Sequence, residues 1–356
     1  MSPLRYPARR IFIRCPNWIG DMITATATLR CMRRNYPSAH ITLVLERYVR
    51  AVVEHAPWYD DIVECDRSRA PLRDVMRLAR VLREPPGYDL ALLLTHAFRS
   101  ALLARLSGAA RRVGHAREGR SWLLTDPVPW PACGADSRLV PKVKVYASLL
   151  DYLGCEGVDD WRPEVFTSPG EERDCDRMLA SRGHEQGRPL LALVPGAAFG
   201  SSKLWEPARF ARVADHFFER HGMRAIVFAG PGEGPIAEEI AGHMRSSPIR
   251  FREGEMTFGH MKAMVRRCSL MICNDTGPRH LGIAYGLPVV TIMGPTHPAV
   301  THTDYPKEIV LREEVPCGPC YRRRCPTDHQ CMKAIRPEQV IEAAEMLLAR
   351  RDTERG

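Results

Sequence analysis

The chain has 356 residues, 45% of them hydrophobic and 26% charged, with 51 basic against 42 acidic residues and a formal charge of +9. That length predicts two domains, each able to bury its own core, and no apolar run approaches the ~18 residues that cross a bilayer. The basic surplus fits an anionic substrate or an anionic membrane surface. With no basic segment interleaved with aromatics and no nucleic-acid motif, a nucleic-acid partner is not expected.

At the start of the chain, Arg5, Arg9 and Arg10 precede only Ile11-Phe12-Ile13 before Arg14. That is too short for a signal-peptide core, so a cytoplasmic protein is expected. Apolar strand-like runs follow at Arg10–Cys15, His40–Glu46, Ile62–Asp66 and Asp89–Thr95, with helical stretches at Asp21–Asn35, Ala70–Arg83 and Ala97–Leu106 between them. After a helix over Val143–Leu153, the polar stretch 155–170 lacks periodicity and is read as a linker. The pattern then repeats. Strands are predicted at Leu190–Pro195, Arg224–Ala229, Leu270–Cys273 and Pro288–Met293, and helices at Pro207–His221, Pro235–Met244, Phe258–Arg267 and Pro337–Arg350. Short apolar strands alternating with amphipathic helices predict parallel sheets covered on both faces, an α/β doubly wound architecture in two copies. The expected domains are 1–154 and 171–356, with the default site in a cleft at the carboxyl ends of the strands.

Four stations carry candidate chemistry. The first, Asn17-Trp18-Ile19-Gly20-Asp21, follows the first strand and opens the first helix. Gly20 suits a tight turn, and Asp21 can accept a proton from an attacking hydroxyl or simply complement the helix dipole. The second, Gly196 to Trp205, holds Ser201, Ser202 and Lys203, one of only six lysines in the chain. A Gly- and Ser-containing loop with one lysine can cradle phosphate, although this is not a Walker A sequence. The third, Gly230-Pro231-Gly232-Glu233-Gly234, lacks the dinucleotide spacing, and Glu233 is either a ribose acceptor or a turn residue.

The fourth station is the most informative: Asn274-Asp275-Thr276-Gly277-Pro278-Arg279-His280, between two apolar strands. A small polar turn opening a helix is an anion site through free N–H groups and the helix dipole, or a plain helix cap. Arg279 adds charge there or points to solvent. Near the end, Cys317, Cys320, Cys325 and Cys331 stand in C-x2-C-x4-C-x5-C order. A structural zinc site fits them, and so do disulfides in an oxidising compartment.

These stations, in this order over nearly the whole chain, resemble the lipopolysaccharide heptosyltransferases of glycosyltransferase family 9. The carrying pieces are Asn17 to Asp21, Lys203-Leu204-Trp205 with Arg209 and Phe210, and Asn274 to Gly277 with His280 and Gly294-Pro295-Thr296. The resemblance implies a GT-B fold, two Rossmann-like domains facing a central cleft. It also implies inverting transfer of heptose from ADP-heptose with no cofactor required for catalysis. Asp21 takes the role of general base. Lys203, Ser201, Ser202, Asp275, Thr276, Gly277 and His280 surround the donor diphosphate, and Glu233, Met256 and Thr257 the nucleoside. The implied acceptor is a lipid-anchored, phosphorylated core saccharide, with peripheral contact at the inner face of the cytoplasmic membrane. Asn17, Arg99, Arg111, Arg112, Arg117 and Arg120 are its candidate contacts. Two other readings stay open: a transferase using another nucleotide-sugar on a different glycan, and a non-catalytic nucleotide-sugar-binding protein.

Overall fold

The computed structural model describes residues 4–65, 71–132 and 139–353. Asp66 and Ala70, at the ends of an expected strand and an expected helix, lie outside them. The chain divides into two compact units, residues 1–166 with 299–303, and residues 167–298 with 304–356.

In the first unit six strands alternate with helices: β1 Arg10–Arg14, α1 Ile19–Asn35, β2 His40–Glu46, α2 Arg50–Val53, β3 Asp61–Cys65, α3 Pro71–Arg83, β4 Leu90–Leu93, α4 Phe98–Leu106, β5 Arg111–His115, β6 Asp126–Val128 and α5 Lys142–Leu153. All pairings are parallel, in the order β3-β2-β1-β4-β5-β6. This is the Rossmann order, and its direction reverses between β1 and β4. Ile11, Phe12 and Ile13 of the central strand are wholly buried, which is why β1 reads as a continuous apolar run. Along α1, Met22, Ile23, Ala25, Leu29 and Met32 are buried, and the Thr24 hydroxyl donates back to Gly20 O at 3.0 Å. Gly20 is therefore a helical residue in the first turn and not the turn glycine expected from the sequence.

Residues 155–166, read as linker, lie along α1. Asn35 Nδ2 donates to Glu156 O at 3.0 Å, Arg30 pairs with Asp160 at 3.1 Å, and Glu164 N donates to Thr26 Oγ1 at 3.0 Å. The next helix, α6, starts at Pro169. Ser168 and Glu171 close a reciprocal capping box at its N-terminus, a Ser-x-x-Glu signature present in the sequence.

The second unit continues with α6 Pro169–Ser181, β7 Leu190–Val194, α7 Pro207–His221, β8 Arg224–Val227, α8 Gly234–His243, α9 Phe258–Arg266, β9 Leu270–Asn274, α10 Arg279–Ala284, β10 Val289–Ile292, β11 Glu308–Leu311, α11 Gln330–Lys333 and α12 Pro337–Thr353. Its five parallel strands run β8-β7-β9-β10-β11, a 2-1-3-4-5 order that reverses between β7 and β9. The helix α7 shows why the pattern works. Pro207 starts it where a missing N–H costs little, and Phe210, Ala211, Val213, Ala214 and Phe217 form the buried stripe. Gly222 ends it at φ 64°. Trp205 packs edge-on against Phe210 at 5.0 Å and donates to Ile335 O at 3.0 Å, tying the loop after β7 to the start of α12.

Candidate active site

Ligands of doubly wound sheets sit outside the carboxyl ends of the strands where the strand order reverses. In the second unit the loops leaving β7 and β9 flank that point, and they carry Lys203 and Asp275. The two residues form a buried ion pair. Lys203 Nζ donates to both the carboxylate Oδ2 and, at 3.2 Å, the carbonyl of Asp275. Thr296 Oγ1 donates to the same carboxylate oxygen at 2.7 Å, and Arg279 Nη1 lies 3.7 Å from the other. Burial alone would raise the Asp275 pKa. Lys203 and then Arg279 outweigh it, and the carboxyl is held below its ordinary range. Asp275 is thus occupied by its own cations. It holds the Lys203 ammonium in place, and that ammonium also lies 4.9 Å from the centre of the Phe199 ring.

Arg279 does not point to solvent, and its charge meets buried carboxylates. It is 1% exposed and forks onto Glu308 at 2.5 and 2.7 Å, while Thr291 Oγ1 donates to Glu308 at 2.6 Å. Burial would lower the Arg279 pKa and raise that of Glu308; their mutual attraction wins in both cases. Lys203, Asp275, Arg279 and Glu308 therefore alternate in sign through the floor of the site. Replacing Arg279 by Lys keeps the charge but loses the fork. A loss of about 1.5–3 kcal/mol in unfolding free energy is expected, read by urea titration.

The helix α10 has only six residues. A helix that short adds only a small dipole to the charge that Lys203 and Arg279 bring to the turn 275–277. His280 is buried, its Nδ1 has no hydrogen-bond partner among the described residues, and burial followed by Arg279 pushes its pKa down to about 4. It is neutral near pH 7. Asn274 Nδ2 donates to Pro195 O at 2.5 Å and joins the two loops directly.

Ser202 is buried and committed to the Cys-rich segment. Its N–H reaches Arg323 O at 3.2 Å and its hydroxyl Arg322 O at 2.5 Å, whereas Ser201 stays exposed. Gly200, at φ 151°, has no room for a side chain, since a Cβ would lie 2.2 Å from Arg323 O. Tyr321 N in turn donates to Pro295 O at 2.9 Å. The segment thus braces the loop after β7 and the loop after β10, whose Thr296 donates to Asp275. Its four cysteines line one pocket of about 300 Å³, but no three of their sulfurs lie within 4.8 Å of one another. Glu233 accepts from Gly230 N at 2.8 Å and sits against Gly196, where a Cβ would be 1.8 Å from its carboxylate oxygen. Thr257 caps α9 by accepting from His260 N at 3.2 Å; it is exposed, and Met256 is half-buried.

In the first unit the loops leaving β1 and β4 flank the corresponding reversal. Asp21 lies in the first turn of α1, partly exposed, with Lys142 Nζ of α5 3.9 Å from Oδ2. Asn17 accepts from Arg14 Nη2 at 2.8 Å, and Arg14 reaches Glu46 at 3.4 Å. Asn17 and Arg99 line one pocket with these residues, so the structure brings two of the expected acceptor contacts together.

The four other arginines expected as acceptor contacts have partners within the unit. Arg120 is fully buried, with Nη1 donating to Thr95 O at 2.7 Å and Nε to His115 O at 3.1 Å. Burial lowers its pKa to about 10; it pins loops together and offers no surface to an acceptor. Arg112 stands at the start of β5, the end of the sheet away from ligand sites, and donates to Leu123 O and Ala109 O at 3.0 and 2.8 Å. Arg111 on the same strand pairs with Asp126 at 3.0 Å. Arg117 stacks on Trp130 at 4.3 Å.

Two buried histidines set a pH dependence. His115 is also driven down to about 4, by burial first and then by Arg120. A histidine in the unfolded chain titrates near 6.5. As the pH falls from ~6.5 towards ~4, the unfolded state takes up the protons that the folded state refuses, so stability is lost on acidification. Between about pH 6.5 and 5 each histidine should cost up to about 2 kcal/mol. Urea midpoints at the two pH values measure the slope, and His280→Gln should flatten it.

Among the described residues, no helix is long and apolar enough to cross a membrane. Lipooligosaccharide heptosyltransferase 2 of Campylobacter jejuni is 27% identical to this chain over 355 residues, covering 95% of this chain and 98% of that protein. The glycosyl transferase family 9 structure from Veillonella parvula matches with a TM-score of 0.83 at 25% identity, covering 96% of this chain and 97% of that one. The structure of ADP-heptose LPS heptosyltransferase II from E. coli matches with a TM-score of 0.78 at 24% identity, covering 96% and 99%. Each unit is thus a Rossmann-like half of the GT-B fold. Residues 75–330 match glycosyltransferase family 9 (heptosyltransferase), and with that match spanning most of its length the chain belongs to this family.

Proposed function

We propose that the protein transfers heptose, with inversion, from ADP-heptose to a lipid-anchored, phosphorylated core saccharide of lipopolysaccharide at the inner face of the cytoplasmic membrane. The observation that carries the reading is the Lys203–Asp275 pair at the strand-order reversal of the second unit. Departure of ADP builds negative charge on the diphosphate, and a cation fixed in advance by buried partners stabilises that charge without reorganising. His280, being neutral, lends a polar contact and no charge. Glu233 serves the ribose hydroxyls and Met256-Thr257 the adenine. In the first unit Asp21 takes the proton of the attacking acceptor hydroxyl, with Asn17 and Arg99 holding the acceptor. A direct displacement needs no covalent nucleophile.

ADP release from ADP-heptose in the presence of a truncated core acceptor tests the reading. Turnover with ADP-heptose and none with other nucleotide-sugars is the expected result. Turnover with a different nucleotide-sugar alone would replace the donor, and donor binding without turnover would make the protein a binder.

We further propose that Cys317, Cys320, Cys325 and Cys331 hold a structural zinc ion that fixes the segment bracing the Lys203 loop. Four thiolates are a complete donor set, and these four share one pocket. Metal analysis of protein purified without chelator should find about one zinc per chain. Cys320→Ser should lower the melting temperature by several degrees, at least about 1 kcal/mol in stability. Metal-free protein with an unchanged melting temperature in the variant would refute the site.

A further inference from the structure

The first unit leaves an apolar and basic face uncovered next to the pocket of Asn17 and Arg99. In α3, Val75, Leu78, Ala79 and Leu82 join the core. On its other side Leu72 is 66% exposed and Met76, one turn on, 50%. Phe98, the first residue of α4, is 41% exposed, and its ring lies 6.2 Å from that of Trp122, which is 73% exposed. The two helices run side by side, because Asp74, Val75 and Leu78 of α3 and Arg99, Ser100 and Leu103 of α4 line the same pocket. Scattered exposed apolar residues are ordinary. Here two long side chains at i and i+4 on one helix accompany an exposed Trp–Phe pair whose Phe98 opens the neighbouring helix, more apolar exposure than scattered single residues give.

Charge identifies what covers it. The helix α3 carries Arg73, Arg77, Arg80 and Arg83 against the single Asp74. Leu, Met and Trp set among arginines are the composition of a helix lying in the plane of an anionic bilayer surface. There the apolar side chains enter the acyl boundary and the guanidinium groups meet lipid phosphates. Arginine stems extend along the apolar surface while their heads reach the phosphates, and an indole is at home at that depth.

We infer that α3, the first turn of α4 and Trp122 form the face by which the protein lies on an anionic membrane surface, with the Asn17–Arg99 pocket beside that surface. The inference rests on the reading of the acceptor as lipid-anchored and names the face that meets its membrane. Sedimentation of the full chain with vesicles of phosphatidylglycerol and phosphatidylethanolamine, compared with phosphatidylcholine alone, tests it. Binding to the anionic vesicles only, weakened by high salt, is expected. The Leu72→Ser/Met76→Ser/Trp122→Ser variant should bind at least about tenfold more weakly. The Arg73→Gln/Arg77→Gln/Arg80→Gln variant should lose most of the salt dependence. Both should turn over a soluble, delipidated acceptor at the parent rate, because none of these residues touches the site. Failure of the parent to bind anionic vesicles, or undiminished binding by the triple serine variant, overturns the inference. So does a parent dimer that the serine variant converts to a monomer, which would assign the face to a second copy of the chain. Absent turnover of the soluble acceptor by the parent would count instead against the proposed transfer reaction.

Discussion

Lys203→Met should lower the rate of ADP release by about a hundredfold to a thousandfold, the cost of removing one preorganised contact to a developing anion. The same change strips Asp275 of its nearest cation. Breaking a buried pair costs about 3–5 kcal/mol when the remaining charge has no other partner. Here Arg279 lies 3.7 Å from the other carboxylate oxygen and Thr296 still donates to the first, so the lower end is expected. The two effects separate experimentally. Rates measured well below the melting temperature report the phosphate contact, and urea unfolding reports the pair. Lys203→Met/Asp275→Asn should recover stability relative to the single variant, because no bare charge is left buried, and should not recover the rate. A double variant that regained turnover would show that the ammonium matters only as a partner of Asp275. Isothermal titration with ADP gives a third readout, in which the Met variant should bind the diphosphate at least about tenfold more weakly.

The parts of this architecture that were legible in the sequence are those in which burial and periodicity coincide. The run Leu190–Val194 is buried at every position and reads as an inner strand at sight. The strand β5 does not, because Arg111, Arg112, Gly114 and His115 replace the apolar run. It is held by β4 and β6 on either side and by arginine stems whose heads reach backbone carbonyls. The strands β6 and β11 lie at sheet edges, one of three residues with a proline and the other half-exposed throughout, so neither alternation nor a continuous apolar run marks them. The helix α6 announces itself only through its capping box. The same division applies to the site. Lys203 and Asp275 were each marked by local context and by the family resemblance, yet no spacing rule joins residues 72 apart. Glu308 carried no local signal at all, since its role at the start of β11 exists only because Arg279 of α10 is buried against it. Arg120 and Arg112 show the converse error. An arginine surplus reads as surface charge, but burial places one of them inside the unit, and strand direction puts the other at the wrong end of the sheet.

Asp21→Asn should reduce kcat by about a hundredfold to ten-thousandfold, the range that a positioned general base contributes, and should leave donor binding unchanged. The competing account is purely structural. Asp21 sits in the first turn of α1 and Lys142 Nζ is 3.9 Å from its carboxylate, so it could serve only to complement the helix dipole and one lysine. That role is worth about 0.3–1 kcal/mol in stability at a partly exposed position, and its loss would slow turnover only in proportion to protein unfolded. The asparagine variant keeps the size and hydrogen-bonding reach of the side chain and removes its basicity. A large fall in kcat, a melting temperature within a few degrees of the parent and unaltered ADP affinity therefore assign Asp21 to proton removal. Lys142→Met serves as the control, since it removes the neighbour and leaves the base. It should retain most of the turnover that Asp21→Asn loses. A rate for Asp21→Asn within about twofold of the parent would return Asp21 to the helix terminus and require another base among the polar groups beside the loop that leaves β1.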